Sequence, residues 1–212
     1  MIKLYIFDFD GTLADTNRLI VETNQELARQ MQYPVPTPEQ ITAVIGLPMA
    51  GCIRTLFPGV QEEEIPAWAV KCREVFYSLK DKFLPVLFPH VKETLAVLHE
   101  KGYVLTVASS RSNQSLNEFL QEMGVAQYFS YVLGGDNVSK AKPDPEPVLK
   151  TLRELGYQAD EALVVGDMPV DIRMGAGAGA RTCGVSYGNS NRAELLAAGA
   201  DSVIDDFAQL LK

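Results

Sequence analysis

Residues 4–16 read LYIFDFDGTLADT. Leu4-Tyr5-Ile6-Phe7 is an unbroken apolar run, the pattern of a strand covered on both faces, as in a parallel sheet. It ends in two aspartates one residue apart, Asp8 and Asp10, followed by Gly11. In an open α/β sheet, ligands bind beyond the carboxyl ends of the strands. A pair of acids at such an end therefore reads as the start of a site.

Further segments have the character of short buried strands: 103–108, 131–133, 162–165, 182–185 and 202–204, with 3–9 as the first. Each is apolar, often β-branched, and bounded by Gly, Ser, Asp or Asn. Helical patterns at 91–101, 113–123 and 145–155 lie between them, each followed by a glycine (Gly102, Gly124, Gly156) in the position that stops helices. Alternating strands and helices predict an α/β fold with a doubly wound, Rossmann-like parallel sheet. Residues 175–180, Gly-Ala-Gly-Ala-Gly-Ala, read as a helix packed close to its neighbour and ending at a glycine.

The stretch from about 14 to 84 breaks this rhythm. It carries no convincing strand and reads as helices at 17–32, 38–45, 49–56 and 65–80, with Thr37-Pro38 as a helix start and Glu39 in the first turn. The expected organisation is a core of residues 1–14 and 85–212 with a helical cap, 15–84, inserted after the first strand.

The bulk properties narrow the partners. The chain has 212 residues, 47% hydrophobic and 22% charged, with net charge −8. This is the profile of a globular protein able to bury a full core. The acidic balance argues against nucleic acid but leaves room for a small anionic substrate if a cation reverses the local field. Cys52, Cys72 and Cys183 are odd in number and form no CxxC pair, which suits a reducing compartment. The first residues, MIKLYIFDFD, lack the form of a signal peptide, and no window approaches a membrane span. The expectation is a cytoplasmic protein, with no membrane partner, that is monomeric or weakly dimeric.

The strand-end rule collects further chemistry. The second strand ends in Ser109-Ser110-Arg111, and the fourth in Gly166-Asp167 with Asp171 close behind. A loop after the third carries Lys140-Ala141-Lys142-Pro143-Asp144-Pro145. If these converge, four carboxylates meet a hydroxyl and a lysine. Close carboxylates raise one another's pKa and are best tolerated around a divalent cation. Hard oxygen ligands suit Mg2+, which shares its shell with phosphate. Lys142 and Ser109 then serve phosphate oxygens. One acid of the pair can attack phosphorus while the other handles protons.

These motifs, DFDGTL from Asp8, Ser109, Lys142-Pro143-Asp144-Pro145 and Gly166-Asp167-Met168-Pro169-Val170-Asp171, occur in the order that resembles the haloacid dehalogenase superfamily, over essentially the whole chain. The helical insert resembles the α-helical cap of its phosphatases and phosphomutases. The resemblance implies that Asp8 is the nucleophile and a Mg2+ ligand. It makes Asp10 the acid and base, reaching the metal through its carbonyl, and Asp167 the other direct ligand. Ser109, the Ser110 amide and Lys142 would hold the phosphoryl group. Thr12 would brace Asp10, and Asp171 would act from behind the ligands or through water.

Having Asp10 and the metal acids argues against dehalogenation. Gly46-Leu47-Pro48 and the tail from Gly184 to Asp201 look most like phosphoglycolate phosphatases. The implied function is a Mg2+-dependent phosphatase of a small phosphorylated metabolite. Its alternatives are a β-phosphoglucomutase-like mutase, a pyrophosphatase or nucleotidase of the same superfamily, or a binding protein that kept the fold. The cap residues Asn17, Arg18, Arg54, Lys71 and Arg73, together with Trp68, read first as solvated or packing positions.

Overall fold

A computed structural model describes residues 1–212. In chain order the elements are β1 (Leu4–Phe7), β2 (Ala14–Asp15), α1 (Asn17–Gln30), α2 (Pro38–Thr42), α3 (Met49–Leu56), α4 (Ile65–Lys80) and β3 (Val86–Leu87). There follow α5 (Val91–Glu100), β4 (Val104–Ala108), α6 (Asn113–Glu122), β5 (Phe129–Leu133), α7 (Glu146–Leu155) and β6 (Ala162–Gly166). The chain closes with α8 (Pro169–Gly177), β7 (Arg181–Val185), α9 (Arg192–Ala197) and β8 (Ser202–Ile204).

Six strands form one parallel sheet in the order β5-β4-β1-β6-β7-β8. The doubly wound α/β sheet predicted from the alternation is present. β1 pairs with β4 on one side and β6 on the other, so the strand order reverses there. That is the topological switch point at which such sheets bind ligands.

The unbroken apolar run of β1 follows from its position. Leu4 and Ile6 pack with Val148 and Leu152 of α7 and Met174 of α8, while Tyr5 and Phe7 pack with Leu95 of α5 and Phe119 of α6. Alternate residues of a strand face opposite sides, so a strand sandwiched between two helical layers has no polar face. Helix α7 ends at Gly156, whose φ of +74° is a left-handed geometry that glycine adopts without penalty. Gly175 sits in α8 where a Cβ would lie 2.7 Å from Thr182 and 2.9 Å from Val164. The close packing expected for the Gly-Ala segment is therefore real.

Helices α1 to α4 enclose a core of their own, built on Leu27, Ile41, Ile53, Phe57 and Trp68. Trp68 packs against Phe57 and Tyr33, as its packing reading expected. Helix α2 begins with a reciprocal capping box. Thr37 Oγ1 accepts from the Gln40 amide at 3.2 Å, and Gln40 Oε1 accepts from the Thr37 amide at 2.8 Å. The helix stops at Thr42, three residues short of expectation, because residues 43–47 turn through Gly46.

One strand in this region was not foreseen. Ala14–Asp15 pairs antiparallel with Val86–Leu87, a two-stranded ribbon where the chain leaves and re-enters the sheet layer. At the far end of α4, Lys80 Nζ donates to Glu122 of α6 at 2.7 Å and lies 4.6 Å from the Phe119 ring. No helix is long and apolar enough to cross a membrane.

Candidate active site

The register of the sheet builds the site. Phe7 stands beside Val107 of β4 and Val165 of β6. The next residues along the three strands are Asp8, Ala108 and Gly166, and then come Ser109 and Asp167. The Asp8 amide donates to the Val165 carbonyl at 2.9 Å, which holds Asp8 at the crevice. Gly11, at φ +81°, turns the chain sharply, and a Cβ there would lie 2.2 Å from Asp167 Oδ2. Only glycine fits that approach.

Asp8, Asp167 and Asp171 are brought together with a ligand oxygen of each within 4.8 Å of the others. All three are buried, as is Lys142. Lys142 Nζ bridges two of them, donating to Asp8 Oδ1 at 2.6 Å and to Asp171 Oδ1 at 2.7 Å. Asp171 Oδ2 accepts from the Met168 amide at 3.1 Å. Asp171 thus contacts Lys142 directly, behind Asp8. Lys140, the other lysine of the loop, lies outside this cluster and reaches only Asp144 at 3.8 Å.

Asp10 turns away from the triad. Its Oδ1 accepts from Thr16 Oγ1 at 2.5 Å and from Arg111 Nη2 at 2.7 Å, and its Oδ2 accepts from Arg111 Nε at 2.8 Å. Thr12, expected to brace Asp10, instead donates from Oγ1 to Asp167 Oδ1 at 3.0 Å. The turn at Gly11 carries Thr12 across to the neighbouring strand's acid and leaves Asp10 to Thr16 and Arg111. The Arg111 guanidinium lies 4.8 Å from the Phe119 ring and 5.1 Å from that of Phe76, which belongs to α4. The sequence places Arg111 only beside Ser109 and Ser110 at the end of the second strand, and nothing in it signals this fork on Asp10.

Asn189 was missed outright. Its amide and its side chain each donate to Asp167 Oδ2 at 2.8 Å, while its Oδ1 accepts from Asn17 of α1 at 2.9 Å. It follows β7, so the strand-end rule could have found it had it been applied to that strand.

Ser109 is buried, and its Oγ accepts from the Arg111 amide at 3.2 Å. Ser110 points its hydroxyl at the helical block, donating to the Gly46 carbonyl at 2.6 Å. Of the cationic residues of the insert, Arg54 pairs with Glu62 and Lys71 with Glu74, and Arg18 lies over Phe83. Arg73 alone among them lines the cavity above the site.

The electrostatics decide what the cluster needs. With every acid ionised, the four carboxylates Asp8, Asp10, Asp167 and Asp171 would face two cations, Lys142 and Arg111, an excess of two negative charges with little water to screen it. Burial raises the Asp8 carboxyl well above the usual range, Lys142 opposes this, and the neighbouring acids add to it. Burial, then the charge of Asp171, pushes Asp167 up to about 7, although Asn189 and Thr12 pull it down. Burial pulls the Lys142 ammonium down, but Asp171 and Asp8 outweigh it and hold it above its ordinary value. Such a cluster is relieved either by protons or by a divalent cation. Three converging carboxylates and a charge excess of two fit the cation.

Known proteins align with this arrangement. The family described as "Haloacid dehalogenase-like hydrolase" matches residues 5–185. A Vibrio cholerae phosphoglycolate phosphatase is 31% identical over 218 residues, covering 100% of this chain and 96% of the relative. A Dickeya dadantii protein named "Probable phosphatase IndB" is 35% identical over 216 residues, covering 100% of this chain and 93% of its own. The crystal structure of a predicted phosphoglycolate phosphatase from Haemophilus somnus 129pt superposes with TM-score 0.91 at 25% identity, covering 99% of this chain and 96% of the other. With the fold, the motif order and the family match in agreement, the chain belongs to the haloacid dehalogenase-like hydrolases.

Proposed function

We propose that this hydrolase is a Mg2+-dependent phosphatase of small phosphomonoesters, working through an aspartyl-phosphate in the manner of phosphoglycolate phosphatase. Residues 15–84 serve as its cap, over a core of residues 1–14 and 85–212. The observation that carries this reading is the buried set of four acids against two cations. The names of the Vibrio cholerae and Dickeya dadantii relatives support it.

Asp8 and Asp167, with the Asp10 carbonyl, would hold the ion, whose chemistry when bound is to withdraw charge from the phosphoryl oxygens. Asp8 Oδ1 is held by Lys142, so the carboxylate is fixed for attack. A carboxylate oxygen of Asp8 forms a bond to phosphorus as the bond to the leaving alcohol breaks. Asp10 gives that alcohol its proton and then takes one from the water that hydrolyses the aspartyl-phosphate. The fork of Arg111 on Asp10 opens before that transfer, since it occupies both oxygens. Ser109, the Ser110 amide and Lys142 hold the phosphoryl oxygens, the electrostatic stabilisation that dominates phosphoryl transfer.

The direct test is phosphate release from p-nitrophenyl phosphate with Mg2+ and with EDTA. Release with Mg2+ and its loss on chelation are expected, and release that ignores EDTA would refute the metal's role. A parallel incubation with β-glucose 1-phosphate and a trace of the bisphosphate separates a mutase. Isomerisation without free phosphate would replace the hydrolase reading.

The pKa shifts give a second expectation. Asp8 and Asp167 keep protons in the folded state that the unfolded chain has already released. That contribution to stability is full below the ordinary carboxylate range and is lost as pH rises towards 7 and beyond. A cation favours the charged forms, so its stabilisation grows in the same direction. At pH 7.5, Mg2+ at about 100 times its Kd should raise the Tm by roughly 5–10 °C. The increment should be smaller at pH 5 and nearly absent in Asp167→Asn. An equal increment at both pH values, or in the variant, would count against binding at this cluster.

A further inference from the structure

The loop after β7 closes over the turn that carries the acid pair. Tyr187 Oη donates to the Thr12 carbonyl at 2.8 Å, and Ser190 Oγ reaches Met168 Sδ at 3.3 Å. Gly188, between them, has no room for a side chain. A Cβ there would lie 2.3 Å from the Gly11 carbonyl oxygen and 2.4 Å from Asp167 Cβ.

This packing sets Asn189 against Asp167. Its amide and its Nδ2 each donate to Asp167 Oδ2 at 2.8 Å. A carboxylate oxygen offers about two lone pairs, so Oδ2 is filled. Oδ1 accepts only from Thr12, at 3.0 Å, and keeps a position open. Of the two oxygens of Asp167, Oδ1 is therefore the one left to serve a cation.

Asn189 has one polar side-chain atom remaining, Oδ1, which accepts from Asn17 Nδ2 at 2.9 Å. The direction of this chain of bonds is fixed in series. An ionised carboxylate only accepts, so Asn189 turns its NH2 to Asp167 and its oxygen away. Asn17 must then present its own NH2, and it does so with its Oδ1 left buried and without a donor. Buried polar atoms are nearly always paired, so the orientation of Asn17 is set by Asn189 rather than by its other surroundings.

Asn17 is the first residue of α1, and its amide donates to Asp15 Oδ1 at 3.2 Å. Asp15 belongs to the ribbon where the chain leaves the sheet layer. A rotation of α1 relative to the sheet therefore acts on the Asn17–Asn189 bond, and through it on the donors that hold Asp167.

We propose that Asn189 is a positioning residue for the metal acid Asp167, and that the Asn17–Asn189 bridge couples Mg2+ binding to the position of α1. This rests on the phosphatase reading with its Mg2+ site, and deepens it. Such coupling is reciprocal. A bridge that favours Mg2+ at Asp167 is itself favoured by Mg2+, so the ion binds the arrangement seen here more tightly than one in which α1 has swung away.

The test is Mg2+ binding by isothermal titration calorimetry at a fixed neutral pH, on wild type, Asn189→Ala, Asn17→Ala and the double variant. Removing the partner of a ligating group commonly costs about 10–100-fold in metal affinity, so Asn189→Ala should raise the Mg2+ Kd by that factor. Asn17 touches none of the four acids of the site, and Asn17→Ala should raise the Kd about fivefold. The double variant should match Asn189→Ala, because residues that act through one another are not additive. An Asn189→Ala Kd equal to that of wild type overturns the positioning role. No effect of Asn17→Ala, or one that multiplies in full with that of Asn189→Ala, overturns the coupling.

The reciprocal arm needs no variant. In wild type, Mg2+ should slow amide hydrogen exchange several-fold more across the first turn of α1 than across α3, elsewhere in the same helical block. Equal slowing, or none, overturns the coupling even where a variant fails to fold. If phosphate release from p-nitrophenyl phosphate stays Mg2+-dependent while these effects are absent, only this proposal falls. A wild type that neither binds Mg2+ nor releases phosphate would overturn the phosphatase reading itself.

Discussion

Asp8→Asn is expected to lower kcat for phosphomonoester hydrolysis on the order of 10^4-fold or more, the scale seen when a covalent nucleophile is lost. Asparagine keeps the volume and can still accept from Lys142, so the fold should persist. It presents a neutral amide where the reaction needs a carboxylate oxygen. The strand positions this residue with little freedom. Phe7 and Phe9 are fully buried on either side, and the Asp8 amide is bonded to Val165. Of the two acids beside it, Asp167 is held by Thr12 and Asn189, and Asp171 by Lys142 and the Met168 amide.

Asp10→Asn provides the contrast. With p-nitrophenyl phosphate the leaving group needs no proton, so attack by Asp8 should continue while hydrolysis of the aspartyl-phosphate stalls for want of a base. Acid-quenched Asp10→Asn should therefore carry covalent phosphate, transient in the wild type and absent in Asp8→Asn. Covalent phosphate on Asp8→Asn would sink the nucleophile assignment.

Much of this was legible in the sequence because the physics is local. The run Leu4–Phe7 had to be a strand covered on both faces, and the acids at its end had to meet the other strand ends in a doubly wound sheet. That rule puts Ser109 and Asp167 at one edge, while the motif order of the family the chain resembles separates Lys142 from Lys140 and adds Asp171. What remained hidden depends on the direction a side chain takes after a turn. Thr12 and Thr16 lie four residues apart and carry the same hydroxyl, and only the geometry at Gly11 decides which serves Asp10. The Arg111 fork required knowing that α6 and α4 bring Phe119 and Phe76 around it. The ribbon of Ala14–Asp15 with Val86–Leu87 is two residues deep, too short for any period to register.

Lys142→Met separates chemistry from stability at the same position. Methionine matches the length of the lysine stem without its charge, and Lys142 sits wholly buried between Asp8 and Asp171 at 2.6 and 2.7 Å. Removing the ammonium should lower kcat by about 10^2–10^3, the usual loss for a group that stabilises transition-state charge. It also leaves two buried carboxylates without their cation, and breaking a buried pair in this way costs about 3–5 kcal/mol. The sign of the pH dependence follows from the Asp8 shift. Burial already raises that carboxyl and Lys142 is what opposes it, so the variant holds its protons to still higher pH. Stability gained by a raised acid is present at low pH and lost as pH rises. The deficit relative to wild type should therefore be small near pH 5 and largest near pH 8, measured by chemical denaturation in EDTA. Mg2+ should recover much of the stability at pH 8, because it supplies positive charge to the same carboxylates, and almost none of the rate. A deficit independent of pH would mean that Lys142 contributes packing rather than charge. Recovery of the rate by Mg2+ alone would remove Lys142 from the phosphoryl-transfer step.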